Sequence, residues 1–220
     1  MFVYSLCLCA SVANFGPQMT FFDYFQLTII VVIVCVIAFK AIYLRITTGI
    51  NPIVVFRTEG AWRVVEVFAM LALIGWVMEV ILHATHSRFD FFPERVHIAL
   101  LHPPTIKILG EAIAVSGLVI FILAFFSFGD SWRIGIDRKT AGQLVTGGIF
   151  SISRNPIYVA FDLIFIAVFL INGTWFFLIF AMLAILAVHM QTLREEKFLA
   201  QRYGEAYERY REKTPRYLIW

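Results

Sequence analysis

The most informative segment of the sequence is residues 153–175, SRNPIYVAFDLIFIAVFLINGTW. It contains an apolar run, Ile157 to Ile171, that begins directly after Asn155-Pro156. Asparagine is a preferred N-cap residue and proline is favoured in the first helical turn, so this pair predicts a helix start. The run ends at the turn sequence Asn172-Gly173-Thr174, and a second apolar run, Trp175 to His189, follows at once. The stretch therefore predicts a tight hairpin of two apolar helices.

The composition of the whole chain predicts a membrane protein. Of its 220 residues, 60% are hydrophobic and only 15% are charged, whereas a soluble domain has about 45–50% apolar and about 25% charged residues. These values exclude a soluble globular enzyme, a disordered chain and a nucleic-acid-binding protein. Three more apolar runs have nearly the length of a membrane-crossing helix: Leu27–Tyr43, Val64–Leu82 and Ile106–Phe128. Because a helix satisfies its own backbone hydrogen bonds in lipid, we expect an all-α integral membrane protein with about five transmembrane helices.

The two helices of the hairpin are shorter than the other predicted spans. A helix of about 15 residues is only about 22 Å long, which is less than the thickness of the hydrocarbon core of a bilayer. Either the cytoplasmic ends of the hairpin continue as helix into polar sequence, or the bilayer thins locally around it.

The positions of the basic residues predict the orientation in the membrane. Lys and Arg concentrate in the loop after the first span, in residues 129–156 and in residues 190–220. The loops on the other side carry only Arg88 and Arg95. Because basic loops favour the cytoplasmic side, we expect a non-cytoplasmic N-terminus and a cytoplasmic C-terminus, in a bacterial inner membrane or the endoplasmic reticulum.

We divide the chain into two parts on this basis. Residues 1–128 contain the N-terminal tail and three transmembrane helices, and residues 129–220 contain a cytoplasmic linker, the hairpin and the C-terminal helices. In the second part, five residues recur at helical spacing: Leu199, Tyr203, Ala206, Tyr207 and Tyr210. This stripe predicts an amphipathic helix that lies at the membrane surface, with its aromatic rings at the headgroup level.

Neither a metal site nor a disulfide framework is expected. Cys7 and Cys9 have no clustered partners, and Cys35 is expected to pack within its apolar run. The four histidines between residues 83 and 102 have no consistent spacing for metal ligands.

Three groups of residues near the polar end of the hairpin could bind a ligand. The helix start at Asn155 presents backbone N–H groups that suit a carboxylate, and Tyr158 lies within its first turn. Upstream, residues 144–150 form an apolar loop with two glycines that could wrap a flat ligand. Glu195 and Glu196 follow the last apolar run and could hold an ammonium, sulfonium or hydroxyl group, or else form a solvated pair beside basic neighbours.

These features together resemble a known family. The sequences that carry the resemblance are Phe128-Gly129-Asp130-Ser131-Trp132, residues 144–158, Glu195-Glu196, residues 203–210 and Thr214-Pro215-Arg216. In this order and spacing they resemble the isoprenylcysteine carboxyl methyltransferase family and the wider phospholipid methyltransferase group. The preceding residues match only as apolar spans.

The resemblance implies a methyltransferase that uses S-adenosylmethionine without a Rossmann domain and acts on a lipidic or prenylated substrate. It implies that Gln143, Leu144 and Val145 line the adenosine, with Phe150 beside it. It also implies that Asn155, with the adjoining Pro156, and Tyr158 contact the amino-acid part of the cofactor. Glu195 or Glu196 would anchor its ammonium or ribose, while Tyr207 and Tyr210 would help to close the pocket.

Two departures from the family pattern concern the substrate. The family usually has histidine where this chain has Asn155, and an amide can cap a helix or bind a carboxylate but is not a titratable base. Family members that act on prenylcysteine carry an arginine near the end of the last span, for which Arg194 and His189 are the candidates here. With Tyr158, these are the predicted catalytic residues. The predicted acceptor is a prenylcysteine-like carboxylate, and the alternative is the amine of a phospholipid.

Two other functions fit parts of the sequence. One is a sterol-reductase-like enzyme that uses NADPH, although this chain is short for that group. The other is a non-enzymatic transporter or lipid-binding protein, in which acidic residues within the spans would form a pathway. Those residues are Glu66, Glu79, Glu111 and Asp162.

Overall fold

A computed structural model describes residues 18–49, 60–87, 89, 91–101, 103–129, 132 and 142–219. Within these ranges the protein is all-helical. The α-helices are α1 (Phe21–Thr48), α2 (Ala61–Ala84), α3 (Pro104–Ser127), α4 (Pro156–Asn172), α5 (Trp175–Tyr203) and α6 (Glu205–Lys213). Two short 3₁₀-helices lie at Glu94–His97 and Gly148–Ser151. Cys7, Cys9, His102 and residues 130, 131 and 133–141 of the predicted linker lie outside the described residues.

The predicted fold class is confirmed. Four helices, α1, α2, α3 and α5, are long and apolar enough to cross a membrane, and α4 is a shorter apolar helix. Each predicted apolar run lies within one of these helices, except that α3 ends one residue before Phe128. Helix α5 continues well beyond His189 into polar sequence, whereas α4 begins at Pro156. Of the two arms of the hairpin, only α5 therefore continues as helix into polar sequence, which is one of the two possibilities given above for the short apolar runs.

The turn of the hairpin is tied to the segment that precedes α3. The amides of Leu100 and Leu101 donate to the carbonyl of Gly173, at 2.6 and 3.1 Å. Gly173 has a positive φ of 67°, and a Cβ there would collide with the carbonyl of Leu101, so glycine is needed at this position. Asn172 and Gln26 exchange side-chain hydrogen bonds, which join the turn to α1.

Helices α3 and α4 approach each other closely through two glycines. A Cβ on Gly110 would lie 3.0 Å from the carbonyl oxygen of Ala167, and a Cβ on Gly117 would lie 3.1 Å from that of Ala160. Small residues at such contacts allow two helix backbones to meet in a membrane. This contact fixes the position of α4, whose first turn carries Asn155 and Tyr158.

The C-terminal helices differ from the predicted surface helix. The aromatic stripe is divided between α5 and α6, because the chain turns at Gly204, where φ is 52°. Tyr207 and Tyr210 are buried against other parts of the protein, so their rings do not form the exposed face of a surface helix. Cys35 also differs from expectation, since it is exposed on α1.

Candidate active site at the open end of the hairpin

The carboxylate of Glu196 is the centre of the polar network at the open end of the hairpin. Its Oε1 accepts hydrogen bonds from Arg154 Nε at 3.0 Å and from Asn155 Nδ2 at 2.9 Å. Its Oε2 accepts from Arg216 Nε at 3.0 Å, and a second nitrogen of each arginine lies within 3.0 Å of the same carboxylate. One buried carboxylate is thus shared by two guanidinium groups, which leaves this part of the site with a surplus positive charge.

The C-terminal tail returns across the start of α4 to complete this network. The amide of Arg154 donates to the carbonyl of Pro215 at 3.0 Å, and its guanidinium donates to the carbonyl of Thr214 at 2.5 Å. The hydroxyl of Ser153 donates to the carbonyl of Arg216 at 3.2 Å. These contacts bring Arg216 to Glu196, although the two residues lie on different elements.

Asn155 occupies the predicted N-cap position of α4, but its side chain does not cap the helix. Its amide instead donates to Glu196 and to the carbonyl of Arg216. An asparagine side chain can make such bonds in a buried site because it supplies two donors and one acceptor. In this structure the carboxylate that the amide binds is that of Glu196.

Tyr158 and Glu195 form a second polar pair beside the first. The tyrosine hydroxyl donates to Glu195 Oε1 at 2.5 Å, and Gln191 Nε2 donates to the same oxygen at 3.0 Å. The structure therefore brings Asn155, Tyr158, Glu195 and Glu196 together, as the sequence analysis expected. Since Glu196 is already saturated by protein donors, Glu195 is the carboxylate with more capacity for a ligand.

Arg194 and His189, the two candidates for orienting a substrate carboxylate, have different surroundings. The guanidinium of Arg194 stacks on Trp62, 3.9 Å from the ring centroid, and lies 3.8 Å from Glu66 Oε1. It also donates to Gln191 Oε1 at 2.9 Å. His189 Nδ1 lies 2.6 Å from the hydroxyl of Tyr217, in a hydrogen bond whose direction depends on the tautomer. The two residues therefore do not form one subsite.

The loop before α4 packs against the C-terminal helices. Gln143 is exposed, Leu144 and Val145 are half-buried, and Phe150 is buried. The ring of Phe150 packs edge-to-face on Phe128, with 5.0 Å between ring centroids. The loop is held by two tyrosines: Tyr210 donates to the carbonyl of Phe150 at 2.6 Å, and Tyr203 donates to the carbonyl of Gly142.

Tyr207 has a different environment from Tyr210. Its side chain is 1% exposed, and its hydroxyl has no hydrogen-bond partner among the described residues. Burial, reinforced by the charge of Glu196, raises the pKa of Tyr207 to about 12, so the hydroxyl is neutral at physiological pH. A buried hydroxyl without a partner is unfavourable unless a ligand or water satisfies it.

Three residues of the site were not predicted as such from the sequence: Gln191, Arg154 and Arg216. Gln191 could have been found, because it precedes Glu195 by four residues and so lies on the same face of a helix. Arg216 belongs to one of the motifs that carry the family resemblance, but no helical spacing relates it to Glu196, which it contacts only after the chain has turned at Gly204.

Comparison with known families supports the resemblance found in the sequence. Residues 105–206 match the model of a family described as phospholipid methyltransferase. No curated protein sequence gives a significant match. The matched residues run from the first turn of α3 into α6 and include Asn155, Tyr158, Glu195 and Glu196. The segment that carries Asn155, Tyr158, Glu195 and Glu196 is therefore similar to the phospholipid methyltransferase family, the wider group that the sequence resembles, and this similarity supports a membrane methyltransferase.

Proposed function

We propose that this protein transfers a methyl group from S-adenosylmethionine to the headgroup of a lipidic acceptor at the membrane surface. The observation that carries the proposal is the 2.5 Å hydrogen bond between Tyr158 and Glu195, which joins the start of α4 to the polar end of α5. Beside it, Asn155 and Glu196 join the same two helices. Both pairs lie within residues 105–206, the family-matched segment.

The side chains present fit the polar groups of S-adenosylmethionine. Glu195 would hold its ammonium or a ribose hydroxyl, because this carboxylate accepts only two hydrogen bonds from described residues. The surplus positive charge of Arg154 and Arg216 suits its carboxylate. The unpartnered hydroxyl of Tyr207 supplies a further donor. The adenosine would lie on the loop with Gln143, Leu144, Val145 and Phe150.

The proposed chemistry requires alignment more than acid or base groups. S-adenosylmethionine supplies a methyl group that its sulfonium already activates. The protein has to hold the acceptor in line with that methyl group and exclude water. Aromatic rings near a sulfonium can stabilise its charge by cation–π contact.

An amine acceptor is favoured over the predicted prenylcysteine carboxylate. A carboxylate acceptor needs a cation to orient it, but the surplus charge of Arg154 and Arg216 would already serve the carboxylate of the cofactor. The third arginine, Arg194, is paired with Glu66, and an acceptor carboxylate would have to displace that ion pair. The family description also names a phospholipid acceptor. The acceptor would enter from the bilayer, between the helices.

We propose that the protein is integral to the membrane and that its site lies on the cytoplasmic side. The basic residues at the open end of the hairpin support this orientation, since such residues favour the cytoplasmic face. The N-terminus would then be non-cytoplasmic and the C-terminus cytoplasmic.

The proposal is tested by thermal unfolding of the purified protein in detergent with S-adenosylmethionine, S-adenosylhomocysteine or NADPH. A ligand at about 100 times its Kd stabilises the folded state by about 2.7 kcal/mol. We expect both sulfur ligands to raise the melting temperature and NADPH to leave it unchanged. The variant Tyr158→Phe should reduce the response, whereas Tyr24→Phe, on the exposed side of α1, should not. Stabilisation by NADPH alone would indicate a reductase, and no stabilisation by any of the three would favour a transporter or lipid-binding protein.

A further inference from the structure

A second layer of polar side chains lies about one helical turn nearer the hairpin turn than the Tyr158–Glu195 pair. Asp162 follows Tyr158 by four residues on α4, and Thr192 and His189 precede Glu196 on α5. Residues at this spacing share a helix face. Tyr217 completes the layer from the C-terminal tail, through its 2.6 Å hydrogen bond with His189 Nδ1.

Asp162 has an incomplete set of partners in this layer. Its Oδ1 is buried and has no hydrogen-bond partner among the described residues. An acidic side chain within an apolar helix is costly, and such residues usually bind a cation or a donor. None of the ion pairs that hold the Glu196 network involves Asp162.

The charge of Asp162 acts on Tyr217. Burial raises the pKa of Tyr217, and the charge of Asp162 raises it further. Thr192 is fully buried beside the same hydroxyl. The layer thus contains a buried carboxylate oxygen without a described hydrogen-bond partner, and a tyrosine that is hydrogen-bonded to an imidazole.

We propose that Asp162, Tyr217 and His189 form the subsite for the amine of the methyl acceptor, with Asp162 binding the ammonium and Tyr217 passing its proton to His189. The inference rests on the proposed function and adds the residues that select an amine. It also gives the C-terminal tail a role, because Tyr217 lies beyond the family-matched residues.

The proton and electron changes balance without a further reactant. The acceptor ammonium loses one proton to the oxygen of Tyr217 as the tyrosine proton moves to His189 Nδ1. An imidazole can accept a proton near neutral pH. The freed nitrogen lone pair forms the new C–N bond, and the electron pair of the broken C–S bond leaves with the sulfur of the donor. The product is a secondary ammonium, and His189 returns its proton to water.

The test measures transfer of a labelled methyl group from S-adenosylmethionine to phosphatidylethanolamine in phosphatidylcholine vesicles that contain the protein. Asp162→Asn should raise the KM for the amine lipid about ten-fold or more, because it removes the charge that binds the ammonium. Tyr217→Phe should lower kcat about 100-fold, which is typical of losing a proton-transfer group. Both variants should keep the full thermal response to S-adenosylhomocysteine.

Glu111→Gln is the matched control. Glu111 is also an acidic residue within a span and also has a buried oxygen without a partner, but it lies on α3, towards the other end of the bundle. This variant should keep the wild-type KM and kcat. A loss equal to that of Asp162→Asn would show that any intramembrane acid matters in this assay, and would overturn the proposal.

The other results separate this proposal from the proposed function. If Asp162→Asn keeps the wild-type KM, or loses its response to S-adenosylhomocysteine, the acceptor subsite is wrong. Wild-type kcat in Tyr217→Phe also overturns it, and this variant decides alone if Asp162→Asn does not fold. If the wild type binds S-adenosylhomocysteine but methylates only a farnesylcysteine analogue, the amine subsite fails while the methyltransferase stands. If it does not bind S-adenosylhomocysteine, the proposed function itself fails.

Discussion

Helices α1 and α2 differ from helices α3 to α6 in how closely they approach their neighbours. Large apolar side chains are exposed on both groups, for example Phe68 on α2 and Phe126 on α3, and are suited to contact lipid. Helices α3 and α4 in addition meet backbone to backbone at Gly110 and Gly117. The family match begins at residue 105, in the first turn of α3. The comparison indicates that the second group is the scaffold of the site.

The polar contacts of the two groups differ as well. At the end of the helix bundle opposite the candidate site, described polar side chains form separate pairs, such as His86 with Asp23 at 3.5 Å and His97 with Glu79 at 3.6 Å. At the open end of the hairpin, several donors converge on one carboxylate, Glu196. Separate pairs hold elements together, whereas a convergent network with surplus charge can also bind a ligand.

The largest expected effect is the loss of Glu196. Glu196→Gln removes the charge shared by Arg154, which is 6% exposed, and Arg216, which is 38% exposed. Breaking a buried ion pair leaves an uncompensated charge and costs about 3–5 kcal/mol; because Arg216 is partly solvated, we expect about 3 kcal/mol. Methyl transfer and the response to S-adenosylhomocysteine should be lost. Equilibrium unfolding in mixed micelles measures the free energy.

Glu205→Gln is the control for that variant. Glu205 pairs with Arg209 at 2.6 Å, but its side chain is 79% exposed. An exposed pair of this kind contributes about 0.3–0.5 kcal/mol, so this variant should unfold and bind ligand nearly as the wild type does. Equal destabilisation by both substitutions would mean that the Glu196 network is no more than a surface ion pair.

The second effect concerns the contact between α3 and α4. Gly117→Leu would force the two helices apart, because even a Cβ at this position lies 3.1 Å from the carbonyl oxygen of Ala160. Overpacking a close contact costs about 1–3 kcal/mol. We expect a loss of about 2 kcal/mol in micelles and a fall in methyl transfer, since the start of α4 would move relative to α5.

The same substitution in α2 should have little effect. A Cβ on Gly75 would meet no atom within 4 Å, and leucine has a higher helix propensity than glycine. Gly75→Leu should therefore be neutral or slightly stabilising. If the two leucine variants lose stability equally, the distinction between a lipid-facing pair of helices and a tightly packed scaffold is wrong.

The sequence predicted what depends on local pattern. Every described transmembrane helix contains a predicted apolar run, and Asn172-Gly173-Thr174 forms the predicted turn. That Tyr158 and Glu195 lie near each other could also be predicted, because the two arms of a tight hairpin run side by side.

The features that the sequence analysis missed depend on contacts between distant parts of the chain. The side chain of Asn155 turns away from its helix to Glu196, and the tail carries Arg216 back to the same carboxylate. Hydrophobic periodicity contains no information about such returns. The stripe pattern is compatible with one exposed surface helix and also with two helices that bury Tyr207 and Tyr210. Only the turn at Gly204 distinguishes these two arrangements.

The smallest expected effect is a difference in unfolding free energy between substitutions of two neighbouring tyrosines of α6. Tyr210→Phe removes the donor to the buried carbonyl of Phe150 and should cost about 1 kcal/mol in unfolding free energy. Tyr207→Phe removes a hydroxyl with no described partner, and should change stability by less than about 0.5 kcal/mol. If Tyr207 donates to the bound cofactor, its substitution should nevertheless reduce the thermal response to S-adenosylhomocysteine, whereas Tyr210→Phe should preserve most of it. The reverse order of ligand effects would assign the unsatisfied hydroxyl to the fold of α6 and remove Tyr207 from the site.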